Sequence, residues 1–202
     1  MVVVGTGGFA TEVHDTIVAL NLVDQIECFD VSNKEQQKSG SFRDIPVKLL
    51  SEMNLEGKQA VLDYGDPMSS AKFVGSCADS IDLLNIIHPS AIVSPFGKLG
   101  KGNIIGSQAN INADAVIGDH VIVNRQVAIG HDSKIVAYSQ LGPGCVLSGN
   151  VTLGKNVFIG AQSAIRERIK ISDNIVVGMG AIVVRDSEIE GVYVGNPTKL
   201  KQ

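Results

Sequence analysis

No excess of charge of either sign marks this sequence: 17 Lys and Arg stand against 21 Asp and Glu over 202 residues, a net charge of −4. The charges are scattered, which leaves no basic stripe for nucleic acid and no cationic amphipathic face for a membrane surface. Cysteine is sparse. Cys28, Cys77 and Cys145 are odd in number, far apart and without CxxC spacing, which argues against a disulfide framework or a zinc site and fits a reducing compartment. They read as small buried apolar residues. Long apolar runs are missing as well: Val2-Val3-Val4 stops at Gly5, too short for a signal peptide, and nothing reaches the length of a membrane span. The expectation is a soluble, cytoplasmic protein.

What is present is a strict repeat. Stepping by six from Ile87, the residues are Ile87, Val93, Leu99, Ile105, Ile111, Ile117, Val123, Ile129, Ile135, Leu141, Leu147, Leu153, Ile159, Ile165, Ile171, Val177 and Val183. All are Val, Ile or Leu. Against a 44% hydrophobic background, such a series arises by chance about once in a million. Neither an amphipathic helix nor an alternating strand has a period of six; a chain that turns a corner every six residues and points one branched side chain inward at each step does. The period predicts a β-helix with no long loop between Ile87 and Val183. Gly follows the apolar residue at 100, 106, 118, 130, 142, 154, 160 and 178, and Asn at 112 and 124. Both types tolerate positive φ, so these positions are expected at the corners.

The repeat takes the C-terminal half and leaves a first unit of about 80 residues, a plausible size for a small domain; the expected division is 1–83 and 84–202. In the first unit Val2-Val3-Val4, then Gly5-Thr6-Gly7-Gly8-Phe9-Ala10, reads as a buried strand, a glycine turn and a helix carrying Phe9, Val13 and Ile17 on one face. Gly5, Gly7 and Ala10 fit G-x-G-x-x-G/A spacing, and Asp30 follows a second strand, Ile26 to Phe29, at about the distance of a ribose-binding acid. Backbone N–H groups at a helix N-terminus hold phosphate only where no side chain blocks approach. The same glycines would also serve a plain strand-to-helix turn. Because only one mononucleotide half precedes the repeat, a single nucleotide fits better than NAD. A further strand, Ala60 to Tyr64, ends at Gly65-Asp66-Pro67, which would lie beside the first turn and makes Gly65 and Asp66 candidates for base or ribose contact.

The hexapeptide pattern resembles the left-handed β-helix acyltransferases, in which three hexads form a triangular coil and three chains form a trimer. Four segments narrow the resemblance: GTGGFATEV at Gly5 to Val13, Ile87-His88-Pro89-Ser90-Ala91, NRQVAIGHD at Asn124 to Asp132, and GVYVGNPTK at Gly191 to Lys199. Over nearly its full length the chain resembles the bacterial sugar acetyltransferases of the sialic acid O-acetyltransferase and UDP-4-amino-sugar N-acetyltransferase group, bacillosamine- and perosamine-type enzymes of surface-glycan synthesis.

The resemblance implies a half-Rossmann α/β unit that binds the nucleotide of a nucleotide-linked amino sugar (UDP or dTDP), through Gly7, Gly8, Phe9, Asp30, Val31, Gly65 and Asp66. It implies acetyl-CoA along the β-helix between neighbouring subunits of a homotrimer, at Gly149, Ala161, Gly178, Met179 and Pro197. His131 becomes the general base, with Asp132 and Asn124 beside it. An imidazole there takes the proton that a sugar ammonium must lose before it attacks a thioester. Adjacent residues on an extended strand point to opposite faces, so Asp132 serves His131 only through corner geometry or a second subunit. Many members carry a second histidine nine residues after the first; here that position is Gln140, whose amide N–H can still donate to a carbonyl or oxyanion.

The implied reaction is acetyl transfer to the amino group of a nucleotide-linked 4-amino-4,6-dideoxy sugar. Sialic acid O-acetylation on the same scaffold and a non-catalytic nucleotide-sugar-binding scaffold are the alternatives. No metal is expected, because His88, His120 and His131 lack the spacing of a zinc-binding hydratase.

Overall fold

The computed structural model describes residues 1–5, 8–31, 40–49, 56–62, 71–75 and 81–201, with the backbone alone at 25, 28–31 and 49. The N-terminal part is a six-stranded sheet: β1 (Val2–Val4), β2 (Cys28–Val31), β3 (Ser41–Phe42), β4 (Ile45–Leu49), β5 (Lys58–Leu62) and β6 (Ile81–Leu83), ordered β3-β4-β2-β1-β5-β6. All pairs are parallel except β3 with β4. Val2, Val3 and Val4 are wholly buried because the central strand is covered on both faces, the situation that selects unbroken β-branched runs. Val3 faces Val13 and Ile17 of helix α1 (Ala10–Ala19), while Val2 and Val4 face Phe73 and Val74 of the helical segment 71–75. The α1 cluster continues into Ile86 and Ile104 of the first coils of the repeat, so α1 lies between the sheet and the solenoid.

From Ile86 onward the chain is a parallel β-solenoid. Each two-residue strand pairs with the strand 18 residues later, as Ile104 with Ile122 and Ile111 with Ile129, so three hexads make one coil of a triangular prism. Wall one holds eight strands, wall two six and wall three five. Edge one, between walls one and two, carries Asn124 to Val127; edge two, between walls two and three, carries Gly130 to Ser133; edge three carries Gly118 to Val121. The hexad residues from Ile105 to Val183 are at most 2% exposed. Ile87, Val93 and Leu99 are partly buried at the open end of the same core.

A second inward column, two residues ahead of the first, includes Ala109, Val121, Val127, Cys145 and Val157 together with buried Ser133, Ser139 and Ser163. The serines fit because each finds backbone: Ser133 Oγ donates to the Ser148 carbonyl and accepts from Val151 N–H. Burial pushes the Cys145 thiol up to about 12.

The corner glycines have a different cause from the one their residue type suggests. Left-handed residues stand three places after the inward residue, at Gln108, Asp114, His120, Gln126, Asp132, Tyr138, Asn150 and onward every six. The glycines directly after the inward residue instead sit where coils touch. A Cβ at Gly106, Gly130, Gly142 or Gly160 would lie 2.5–2.6 Å from backbone atoms of the next coil. Close approach, not positive φ, selects glycine there.

The solenoid ends in a change of direction. Strand Gly191–Val194 pairs parallel with Ile175–Val177, and Lys199–Leu200 then returns antiparallel along it.

Candidate active site

His131 stands on edge two, and the residue after it is left-handed, Asp132 at φ 59°. That reversal keeps Asp132 on the side of its neighbour, and His131 Nδ1 lies 2.7 Å from Asp132 Oδ2. The corner geometry that this pairing requires is present within one chain. The imidazole is 64% exposed and lies over Gly149 of the next coil. A Cβ at Gly149 would be 2.6 Å from Nε2. Glycine at 149 thus makes room for the ring.

Asn124 lies on edge one and is 6% exposed. Its Nδ2 donates to the Leu141 carbonyl at 2.8 Å, so its amide donor is engaged with the neighbouring coil. Beside it a cavity of about 220 Å³ opens between α1 and edge one, lined on the helix side by Phe9, Glu12, Asp15 and Thr16 and on the prism side by residues including His88, Ser107, Asn124 and Arg125. Arg125 Nη1 donates to Glu12 Oε1 at 3.0 Å, joining residues 113 positions apart. Asp15 is held from outside by Arg43 at the β3–β4 turn, and His88 Nδ1 is 2.8 Å from Ser90 Oγ.

The expected site residues fall into three places. Phe9, in the N-cap position of α1, and Asn124 share the cavity, and Gly8 is exposed in the turn before α1. Ala161, Gly178 and Met179 lie higher on edge one, above Asn124; three coils separate Asn124 from Gly178, about 14 Å at ~4.8 Å per coil. Met179 is 79% exposed, and Pro197 lies in the turn before Lys199–Leu200. Gln140 is half-buried on wall one between Ile122 and Phe158. His131, Asp132 and Gly149 form the third group on edge two, six residues and one wall from edge one, at most about 20 Å. Backbone pairing sets Asp30 beside Val4 and Val31 beside Leu49. Gly7, Gly65 and Asp66 lie outside the described residues.

Neither Glu12 nor Arg125 stands out in the sequence, although each lies inside a segment that carries the family resemblance, GTGGFATEV and NRQVAIGHD. Nothing in either segment signals that they meet. Among the described residues no group of three or more His, Cys, Asp or Glu is placed to hold a metal.

No protein-family model and no curated protein matches the chain. Solved structures do. PerB from Caulobacter crescentus, in complex with CoA and GDP-perosamine, is 30% identical with a TM-score of 0.89, over 100% of this chain and 96% of that one. The acetyltransferase domain of PglB from Neisseria gonorrhoeae FA1090, in complex with acetyl coenzyme A, is 28% identical with a TM-score of 0.90, over 99% and 98%. WeeI from Acinetobacter baumannii AYE, 19% identical with a TM-score of 0.90, over 99% and 98%, shares the fold. The chain belongs to the hexapeptide-repeat sugar N-acetyltransferases, and its solenoid matches a left-handed β-helix.

Proposed function

We propose that the chain transfers acetyl from acetyl-CoA to the amino group of a nucleotide-linked 4-amino-4,6-dideoxy sugar, with His131 as general base. The observation that carries this reading is the His131–Asp132 pair, with the exposed imidazole held over Gly149 and Nδ1 on the carboxylate. Asp132 accepts the Nδ1 proton and fixes the tautomer, so Nε2 is the acceptor. Nε2 takes the ammonium proton and passes it to solvent; the free amine adds to the thioester carbonyl, Nε2 takes the second proton from the nitrogen of the adduct, and collapse to the amide releases the CoA thiolate, which receives that proton from His131. Gln140, or backbone N–H groups at the corners, are the donors we assign to the oxyanion. Asn124 then acts through its carbonyl oxygen and as part of the acceptor cavity.

We assign residues 1–83 to a half-Rossmann unit that holds the nucleotide, with Gly7, Gly8 and Phe9 at the phosphates and Asp30, Val31, Gly65 and Asp66 at base or ribose. Residues 84–202 form the transferase unit, in which acetyl-CoA runs along edge one past Ala161, Gly178, Met179 and Pro197. PerB is in complex with GDP-perosamine, so GDP joins UDP and dTDP among the carriers to be compared. Cytoplasmic placement accords with the cysteine usage; no helix among the described residues is long and apolar enough to cross a membrane.

A homotrimer accords with the surface. Wall two turns Ile92, Ala128, Val146 and Ala164 outward and the upper part of wall one Phe158 and Val176, whereas wall three carries Lys98, Lys134 and Lys170. Packing wall two of one protomer on wall one of the next is a heterologous contact that closes as a ring. It would set a second chain beside His131.

The test is thiol release from acetyl-CoA with GDP-, UDP- and dTDP-linked 4-amino-4,6-dideoxy sugars, His131→Ala beside the parent. Acceptor-dependent release that falls at least about 10²-fold in the variant supports the general base. Release with sialic acid alone moves the reaction to O-acetylation, and nucleotide-sugar binding with no release from any acceptor leaves a binding scaffold.

A further inference from the structure

The acceptor cavity is closed on one side by a carboxylate and a guanidinium that belong to different halves of the molecule. Glu12 comes from the first turn of α1 and Arg125 from edge one next to Asn124, and both line the cavity. Their side chains are about half exposed, 49% and 51%. An ion pair so open to water contributes little to stability, and Glu12 Oε2 and the other guanidinium N–H groups face no further partner among the described residues.

We propose that Glu12 and Arg125 choose the acceptor by reading two adjacent free hydroxyls on the amino sugar, and so exclude sugars in which one of those hydroxyls is replaced by an acylamino group. The inference rests on the acetyl-transfer reading above and names its substrate class. A carboxylate only accepts and a guanidinium only donates. Set side by side at 3.0 Å, they offer one acceptor and one donor at neighbouring points. A vicinal diol answers both at once: one hydroxyl donates to Glu12 while the oxygen of the next accepts from Arg125. We place the C2 hydroxyl at Arg125 and its neighbour at Glu12; an acylamino nitrogen at C2 has its lone pair delocalised into the amide and carries only a donor, so it leaves the guanidinium without an acceptor at that point. It also adds an acyl group to a cavity of about 220 Å³. Where such a substituent shuts water out without replacing the hydrogen bonds, a charged group is left desolvated and unpaired, the situation in which hydrogen-bonding sites discriminate most strongly.

A strut that merely pins α1 to the prism makes a different forecast. Its loss weakens every acceptor alike and lowers thermal stability. The experiment therefore compares two acceptors on the same nucleotide, a 4-amino-4,6-dideoxyhexose with a free 2,3-diol and its 2-acetamido counterpart. Each is followed by steady-state acetyl transfer and, without acetyl-CoA, by calorimetric binding, in the parent, Glu12→Gln, Arg125→Met and the charge-conserving Arg125→Lys. We expect the parent to favour the diol by roughly 10²-fold in kcat/KM. Glu12→Gln and Arg125→Met should reduce that ratio at least about tenfold through the acceptor KM, with the KM for acetyl-CoA unchanged. Arg125→Lys keeps the charge and the strut but loses the planar fork, and should reduce the ratio by a smaller factor. A diol preference that survives Glu12→Gln, or a parent that binds and acetylates both sugars equally, overturns the inference while leaving the reaction standing. A binding preference without any acetyl transfer sinks the reaction and keeps the selection; neither transfer nor preference sinks both.

Discussion

A methyl group on Gly149 would lie 2.6 Å from Nε2 of His131, one coil below it. No contact so short is tolerated, and the ring, as the mobile partner at the end of an exposed side chain, is what would move.

Gly149→Ala should therefore act on catalysis more than on folding. Displacing a general base by about an ångström costs on the order of 10²-fold in rate, so kcat should fall by at least about tenfold while the melting temperature moves by less than a few degrees. Steady-state kinetics beside a thermal melt would check this. Equal losses in both would mean that glycine at 149 serves the backbone.

His120 is expected to make the protein sensitive to mild acid. Burial, outweighing the nearby Asp119 carboxylate, holds its imidazole below the usual value; its Nδ1 has no hydrogen-bond partner among the described residues, and its ring stacks on Tyr138 at 5.1 Å between centroids. Below about pH 6.5 the unfolded chain binds this proton more readily than the folded one, so His120 removes stability as pH falls through that range and removes none above it. His120→Asn, which accepts the left-handed φ of 56°, should be less stable at pH 7.5 because the stack is lost. Its stability should nevertheless fall less steeply from pH 7 to 5. Melts across that range decide it, and parallel slopes would refute it.

The core should behave as a stack of coupled coils. Leu147→Ala, in mid-prism and 1% exposed, should cost about 2–5 kcal/mol, and Val93→Ala, only partly buried near the open end, clearly less. Denaturant unfolding of the two variants gives the comparison. Equal costs would argue against a graded core.

Cys145, wholly buried with its thiol pushed up to about 12, should resist alkylation at pH 8.5 in the folded protein and react fully in guanidinium. Peptide mass mapping reads both states. Because the raised value is in the folded state, the thiol's contribution is complete below about pH 8.5 and fades as pH rises toward 12, so Cys145→Ala should flatten the alkaline limb of the stability curve.

The prism was legible because its cause is one-dimensional. A coil of 18 residues needs an inward residue at each hexad, and the run from Ile105 to Val183 states this directly. The reason for the corner glycines was not legible, since contact between Gly142 and Ala161 depends on how coils stack, which no spacing within one hexad expresses. His131 and Asp132 could be named from the sequence, but their pairing depends on a left-handed φ at Asp132, a non-glycine residue that does not advertise it. Glu12 and Arg125 were the least accessible. They meet only because α1 is wedged between the sheet and the first coils, and a separation of 113 residues carries no local signal.

A parallel solenoid is by construction a template: the last rung exposes the same row of N–H and C=O groups that every earlier rung offered to its successor. The returning strand Lys199–Leu200 runs against the direction of the stack and covers the end of wall one. A second copy approaching from above meets a reversed strand flanked by Lys199 and Lys201 instead of a matching rung, and charged edges of this kind discourage strand addition. Along that wall, the switch of direction after Val194 replaces the matching parallel rung that end-to-end growth would need.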